Sequence, residues 1–431
     1  MPHHDVVISN GLTVVVVPRP NVHRAVAALF LRVGSRFETG VSNGISHFLE
    51  HMVFRGTPSL PSAHDQALAF ERLGGTLYAA THVDHGVMSV SVPPPNLERV
   101  LALLGEVTTA PRFTDLEIER GIVREEILED LDDEGRQIDA DNLSRTLMYK
   151  EHPLGYTITG GLDSLARFDL EMLRAHHARH YTAENAVLCL AGRLDGADGQ
   201  ADVERWARVV ETHFGQMPRG ARVPTAPPPN GQKKPRFSFI ENQSSQTELR
   251  IAFRGLSERD PREPAVEMLM RVLDDGMSTR LYEAICDRMG LCYDVSGMFE
   301  AYEDDGVVDV AAGAQHDRTS VVAREVLALL RDLAEHGPTE AELAKARDRH
   351  LWATDSMQDD ADALAAFYGL AALARIARTP RERHAELAQV TIQDVQRAAA
   401  EIFRPERLSV VAVGLLRSAE ETRLNKVVKG F

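Results

Sequence analysis

The chain has 431 residues, of which 44% are hydrophobic and 26% charged, a balance typical of globular proteins rather than disordered or fibrous ones. Its 48 Lys and Arg against 64 Asp and Glu give a net charge of −16, which disfavours nucleic acid and anionic membranes as partners because both are polyanions. No apolar run approaches the roughly 20 residues that span a bilayer, no secretory signal is recognisable, and three cysteines are too few for a disulfide framework. We therefore expect a cytoplasmic protein with reduced thiols.

The first half of the chain predicts strands in hairpins and helices in runs. The dipeptide Asn10-Gly11 is a strong hairpin signal and divides the segment 5–17 into two strands. From residue 114 to about 149 the pattern predicts one long helix. The other strands predicted here are 25–33, 76–81, 86–92 and 186–192, and the other helices are 43–54, 63–73, 96–109, 169–180 and 201–214.

A linker separates this half from a second one of similar pattern. Residues 217–236 are rich in Pro, Gly and basic side chains and show no apolar period, which predicts two domains, 1–216 and 237–431. Because strands and helices are grouped, we predict an α+β fold in which each domain is an antiparallel-rich sheet covered by helices. The strands predicted in the second half are 237–240, 246–253, 292–301, 306–312 and 408–413, and the helices are 261–274, 279–288 and several within 318–403.

The most informative segment is 44–55, in which His47, Glu50 and His51 form an H-x-x-E-H motif. Helical residues four apart lie on one face with Cβ atoms about 5–6 Å apart, so both imidazoles can reach one Zn²⁺ at about 2.0–2.1 Å. Glu50 can flank the same ion and take a proton from nearby water, the general-base role in metal-assisted hydrolysis. The alternative is that the motif arose by chance and both histidines only pack. However, polar side chains in an apolar run need partners, and a metal supplies one.

A catalytic zinc needs a third protein ligand and an open fourth position, and the acidic helix 114–149 offers candidates. The carboxylates of 129–134 are typical of a solvated face. Glu126 borders the apolar stripe of the helix. Glu119 lies two turns earlier on the same side, where it could orient a ligand or water. Periodicity alone does not decide between Glu125 and Glu126.

These motifs resemble those of the pitrilysin/insulinase family of zinc metallopeptidases, on its half-length, processing-peptidase-like branch. Besides the segment 44–56, the resemblance rests on Asn10-Gly11-Leu12, Gly74-Gly75, 119–127, 152–155 with Gly160, and 276–293. It implies one Zn²⁺ per chain, held by His47, His51 and Glu126. It also implies that Glu50 and Glu119 are catalytic residues, and that two homologous α/β domains form one half of a clamshell.

The resemblance further implies a second chain and a peptide substrate enclosed in a chamber between the two chains. Unfolded peptides would lie extended against an edge strand near the metal, by strand addition, with Ala79 and Thr81 as substrate contacts. Active relatives also pair an Arg with a Tyr seven residues later at the scissile carbonyl. Tyr293 is present, but Cys286 occupies the Arg position, for which Arg280 or Arg288 is a candidate substitute.

The sequence thus predicts a zinc-dependent endopeptidase that hydrolyses peptides or unfolded segments in a closed chamber, as the metal-bearing subunit of a dimer. A heterodimer whose partner supplies its own Arg and Tyr would explain the missing Arg, and a homodimer with a substitute group is the alternative. A different possibility is a non-catalytic peptide-binding or scaffold subunit. The intact H-x-x-E-H motif and Glu126 argue against it, because a scaffold has no use for a general base. We expect neither a nucleic-acid nor a membrane partner.

Overall fold

The computed structural model describes residues 3–194 and 202–431. Residues 1–2 and 195–201 lie outside this part, and with them the start of the chain and the first residue of the predicted helix 201–214. Within the described residues the strands form one six-stranded and one five-stranded sheet. The predicted α+β class is confirmed, because both sheets are mainly antiparallel and are covered by helices.

The first sheet is formed by strands from the first half of the chain. These are β1 (His4–Val7), β2 (Thr13–Pro18), β3 (Ala25–Leu31), β4 (Tyr78–Thr81), β5 (Gly86–Val92) and β6 (Ala186–Gly192). Their spatial order is β1-β2-β6-β3-β5-β4, and all neighbours are antiparallel except β2 and β6. Strands β3 and β6 are buried along their whole length, as expected for apolar strands covered on both faces. Strand β4 lies at the edge of the sheet.

The second sheet repeats this arrangement. Its strands are β7 (Arg236–Glu241), β8 (Thr247–Arg254), β9 (Cys292–Ala301), β10 (Gly306–Ala314) and β11 (Leu408–Gly414). The order β7-β11-β8-β10-β9 matches β2-β6-β3-β5-β4 strand for strand, and in each sheet the first pair is parallel and the others antiparallel. The prediction of two similar domains is therefore confirmed at the level of topology.

Helices connect and cover the strands. In the first half they are α1 (Ile45–Met52), α2 (Ala63–Glu71), α3 (Leu97–Thr109), α4 (Leu116–Glu129), α5 (Ala140–Tyr149), α6 (Leu162–Leu165), α7 (Leu170–His180) and α8 (Val203–Phe214). In the second half they are α9 (Glu263–Leu273), α10 (Thr319–His336), α11 (Glu340–Met357), α12 (Ala361–Ala374), α13 (Pro380–Ala388), α14 (Ile392–Ile402) and α15 (Ser418–Lys429). A π-helical segment, Tyr282–Arg288, precedes β9.

The prediction of one long helix over 114–149 is wrong. Helix α4 ends at Glu129, and α5 begins at Ala140 after ten intervening residues, the last of which is Asp139, whose side chain caps the N-terminus of α5. Between them the carboxylate of Asp132 accepts two backbone N–H groups of a tight turn. Gly135 in this turn has φ +76°, a conformation that favours glycine. The acidic run is therefore a turn rather than a helix face, because Asp and Gly favour turns.

The chain forms two compact units that interleave in sequence. Unit 1 consists of Met1–Ile127, Thr157–Thr225 and Trp352–Arg383, and unit 2 consists of Leu128–Tyr156, Ala226–Leu351 and His384–Phe431. The predicted linker 217–236 has neither helix nor strand before Arg236, and the unit boundary falls within it. The predicted contiguous domains 1–216 and 237–431 are nevertheless wrong for two segments, because α5 belongs to unit 2 and α12 to unit 1.

Packing explains why α5 belongs to unit 2 and α12 to unit 1. In unit 1, Leu364 and Tyr368 of the alanine-rich α12 share a buried cluster with Val26 and Phe30 of the first sheet. In unit 2, the N-terminus of α5 packs against the outer face of β11. Each sheet thus receives a helix from the other half of the chain on its second face. Among the described helices, α12 included, none has the length and apolar character needed to cross a membrane.

Candidate metal centre

Helices α1 and α4 bring three candidate metal ligands together in unit 1. The Nε2 atoms of His47 and His51 each lie 3.5 Å from Oε2 of Glu126. One ligand atom from each of the three residues lies within 4.8 Å of the others, and the described part of the chain contains no second group of this kind. The spacing of four residues on α1 places the two imidazoles side by side, with ring centroids 4.7 Å apart.

The burial of α4 decides between the two glutamates that the sequence left open. The buried residues of this helix are Glu119, Val123 and Ile127. Glu126 adjoins this stripe, and its side chain is 39% exposed. Glu125 faces solvent with its side chain 72% exposed, and it pairs with Arg124. Of Glu125 and Glu126, only Glu126 therefore faces the histidines of α1.

The three side chains fit a zinc ion. Two ligands bound at about 2.0–2.2 Å in a tetrahedron lie about 3.3–3.6 Å apart, and the distances from Glu126 to both imidazoles fall in this range. Burial, with a contribution from His51, lowers the pKa of His47 to about 4, so its imidazole is neutral at pH 7 and has a lone pair for a metal. Two imidazoles and one carboxylate are the donor set of catalytic zinc sites with an open fourth position.

Glu119 contacts the ring nitrogen of His51 that does not face Glu126. Its Oε2 lies 3.1 Å from Nδ1 of His51, and its other oxygen accepts a hydrogen bond from Nε of Arg55. Burial acts to raise the pKa of Glu119, but His51 and Arg55 outweigh it and hold that pKa below its ordinary value. Glu119 is therefore ionised and fixes the orientation of the His51 ring. By contrast, Nδ1 of His47 is buried and has no hydrogen-bond partner among the described residues.

Glu50 presents a carboxylate next to this centre. Its Oε2 accepts a hydrogen bond of 2.6 Å from the hydroxyl of Thr81. Burial raises the pKa of Glu50, with a contribution from Glu126, while Thr81 and His51 act in the opposite direction. A carboxylate whose pKa is raised toward neutrality is suited to accept a proton from water and to return it later.

Sequence reasoning missed two residues that hold α1. Arg55 donates to Glu119 from just beyond the end of α1 at Met52, where the helical pattern gave no signal. Glu38 accepts the backbone N–H groups of Gly44 at 2.7 Å and Ser46 at 2.8 Å, at the N-terminus of α1. A negative charge stabilises that end of a helix. Glu38 lies outside α1, so the helical pattern gave no signal for it.

The predicted substrate strand lies at the edge of the first sheet. Strand β4 pairs with β5 on one side, and Tyr78 at its start is 57% exposed. Ala79 and Thr81 are partly buried. The hydroxyl of Thr81 donates its proton to Glu50, so toward a substrate it could only accept a hydrogen bond. Substrate contacts by both residues stay a prediction.

In unit 2, Tyr293 lies on the edge strand β9 and is 93% exposed. Pairing of β9 with β10 shifts at this point, so Tyr293 and Asp294 together stand opposite Gly313. Such a bulge turns a side chain away from its regular direction. Cys286 is half-buried in the π-helical segment, and burial raises the pKa of its thiol.

Arg280 does not present a free guanidinium. Its Nε donates to Glu342 at 2.6 Å, one terminal nitrogen donates to Asp332 at 2.7 Å, and the other donates to Glu342 and to the carbonyl of Gly337. The side chain is only 15% exposed. These hydrogen bonds hold Arg280 within unit 2, and its contact with substrate stays a prediction.

Comparison with known families and sequences agrees with the site. The family model described as "Insulinase (Peptidase family M16)" matches residues 13–161, and the one described as "Peptidase M16 inactive domain" matches residues 167–349. An "uncharacterized zinc protease" of Mycobacterium tuberculosis H37Rv is 31% identical over 346 residues, covering 79% of this chain and 76% of the relative. The "uncharacterized zinc protease YmxG" of Bacillus subtilis is 30% identical over 348 residues, covering 79% and 80%.

Solved structures share the fold. A protease of Helicobacter pylori superposes with a TM-score of 0.88 at 21% identity, covering 96% of this chain and 99% of the other. The first half of the periplasmic protease PqqL of Escherichia coli superposes with a TM-score of 0.76 at 20% identity, covering 99% and 96%. At these identities the likeness concerns the fold alone.

Proposed function

The chain belongs to the M16 (pitrilysin/insulinase) family, and from this premise we propose that it is a zinc-dependent endopeptidase acting on peptides or unfolded segments. The observation that supports the proposal most directly is the grouping of His47, His51 and Glu126, with the carboxylate of Glu50 beside them. Relatives at about 30% identity are named zinc proteases. A scaffold protein would need neither the three ligands nor a carboxylate with a raised pKa.

In the proposed reaction, His47, His51 and Glu126 would hold a zinc ion. When bound, zinc supplies Lewis acidity to the scissile carbonyl and the attacking water. Glu50 accepts the proton of the water as it attacks and delivers that proton to the leaving amine. The backbone of the substrate adds to the free edge of β4, which keeps the peptide extended. Glu119 keeps the imidazole of His51 in place throughout.

We also propose that the chain works with a second chain of the family, identical or different. Cys286 occupies the position of a cationic side chain that would stabilise the developing oxyanion, a large contribution in acyl transfer. Arg280 is engaged with Glu342 and Asp332 within unit 2, which argues against it as the replacement. If the purified chain alone cleaves peptides, no different partner chain is required. If cleavage requires a co-purifying family chain, the partner is a different protein.

A quenched fluorescent peptide tests the proposal, with zinc content measured by elemental analysis. We expect cleavage that a chelator abolishes and added zinc restores. Glu50→Gln should retain zinc and lose about 10²–10⁴-fold in rate, the usual contribution of a general base. Glu125→Gln is the matched control, because it makes the same change on an exposed neighbour of the site. Zinc-free protein that binds peptides without cutting them, with or without the co-purifying chain, would instead indicate a scaffold.

A further inference from the structure

Thr81 contacts the proposed general base from the last position of β4. Its hydroxyl donates to Oε2 of Glu50 at 2.6 Å, and within the described residues no other side chain hydrogen-bonds that carboxylate. Hydrogen bonds to an ionised acceptor are shorter and stronger than neutral ones. We propose that Thr81 is a positioning residue for Glu50, a role that rests on the proposed peptidase function. The backbone of Thr81 also hydrogen-bonds the carboxylate of Glu50, so this one residue contacts the proposed base through two groups.

The donor is well suited to fix a flexible acceptor. Thr81 is β-branched, so its χ1 angle is restricted, and its backbone pairs with Gly86 of β5. Glu50 is longer and has three rotatable side-chain bonds, so an isolated Glu50 would sample several rotamers. A rigid hydroxyl on a paired strand reduces this choice to one position of the carboxylate.

The location of Thr81 links the base to the substrate. In the proposed function the peptide backbone adds to the free edge of β4, the strand that carries Thr81. One residue therefore sets the position of the base and borders the position of the scissile segment. Because the hydroxyl contacts Glu50 rather than the peptide, its removal should slow the chemical step and leave substrate binding unchanged.

Two substitutions separate the hydroxyl from the shape of the side chain. Thr81→Val keeps the branched shape and the strand preference but removes the donor. Thr81→Ser keeps the donor. We expect Thr81→Val to lower kcat by about 10- to 100-fold with KM and zinc content unchanged, the range for a hydrogen bond to a charged group. Thr81→Ser should restore most of the lost rate, and both variants should unfold at temperatures close to wild type.

Crystal structures of the zinc-loaded wild type and Thr81→Val provide a readout that does not depend on activity. We expect the hydroxyl of Thr81 on Glu50 in the wild type and a displaced or multiply placed Glu50 carboxylate in the variant. An unchanged kcat in Thr81→Val, an equal loss in Thr81→Ser, or an identical Glu50 in both crystal structures would overturn the inference. If the wild type itself cleaves nothing, the peptidase proposal fails, and the two crystal structures alone decide whether Thr81 positions Glu50.

Discussion

Gly44, at the start of helix α1, should be intolerant of any side chain. Its backbone has φ +94° and ψ −4°, a conformation that L-residues rarely adopt. A Cβ atom there would lie 2.5 Å from the carbonyl oxygen of Thr159 and 2.8 Å from Cα of Gly160. We therefore predict that Gly44→Ala destabilises unit 1 and weakens zinc binding. Strained backbone costs about 1–3 kcal/mol and overpacking costs about 1–3 kcal/mol, which together give about 2–6 kcal/mol.

Gly121→Ala is the matched control on the other helix of the site. Gly121 is exposed in the middle of α4, and a Cβ atom there would meet nothing within 4 Å. Alanine in a helix interior is more stable than glycine by about 0.5–1 kcal/mol. The same chemical change should therefore stabilise the protein at position 121 and destabilise it at position 44.

Urea unfolding followed by the fluorescence of Trp206 measures both effects. Trp206 is buried in unit 1, at 4% exposure, whereas the second tryptophan, Trp352, is 61% exposed and can be replaced by Phe in all variants. Zinc affinity is measured in parallel by competition with a chromogenic chelator. If Gly44→Ala unfolds at the same urea concentration as wild type, or if Gly121→Ala is equally damaging, the argument from close backbone contact is wrong.

Two further predictions concern charged pairs in the two units. Glu119→Gln should weaken zinc binding by about 10- to 100-fold, because His51 loses the charged acceptor that orients it; Glu125→Gln should leave the affinity unchanged, and equal losses in both variants would contradict the role of Glu119. In unit 2, burial acts to raise the pKa of Glu342, but the hydrogen bonds from Arg280 and Thr339 outweigh burial and lower this pKa to about 2, below its ordinary 4.5. The pair therefore stabilises unit 2 fully above about pH 4.5, and this stability is lost as the pH falls toward 2. The urea midpoint of Glu342→Gln should depend less on pH over this range, and an unchanged dependence would contradict the assignment.

The grouping of the candidate metal ligands could be predicted because local periodicity determines most of their geometry. His47 and His51 share one face of α1 whatever the rest of the fold, because they are four residues apart on a helix. The structure confirms that they lie side by side. The third ligand depended on which flank of α4 faces α1, and the sequence pattern did not decide between Glu125 and Glu126. The burial of α4 decides between the two glutamates. The sequence pattern could not, because burial depends on packing against other elements.

Features that depend on long-range contacts were beyond the sequence pattern. The acidic run after Glu129 has the charge pattern of a helix surface, and only the bonds of Asp132 and the φ angle of Gly135 show a turn. The interleaving of the units depends on α5 and α12, each of which packs on the sheet of the other half. The same holds for Thr81 and Glu50, which are thirty-one residues apart in sequence and meet only in the folded chain.

Anomalous X-ray diffraction at the zinc absorption edge, on crystals of protein purified without chelator, tests the central claim most directly. The account predicts one strong peak per chain within about 2.0–2.2 Å of Nε2 of His47, Nε2 of His51 and a carboxylate oxygen of Glu126. A peak at other residues, or zinc-free protein in which these three side chains remain together after soaking in zinc, would contradict it.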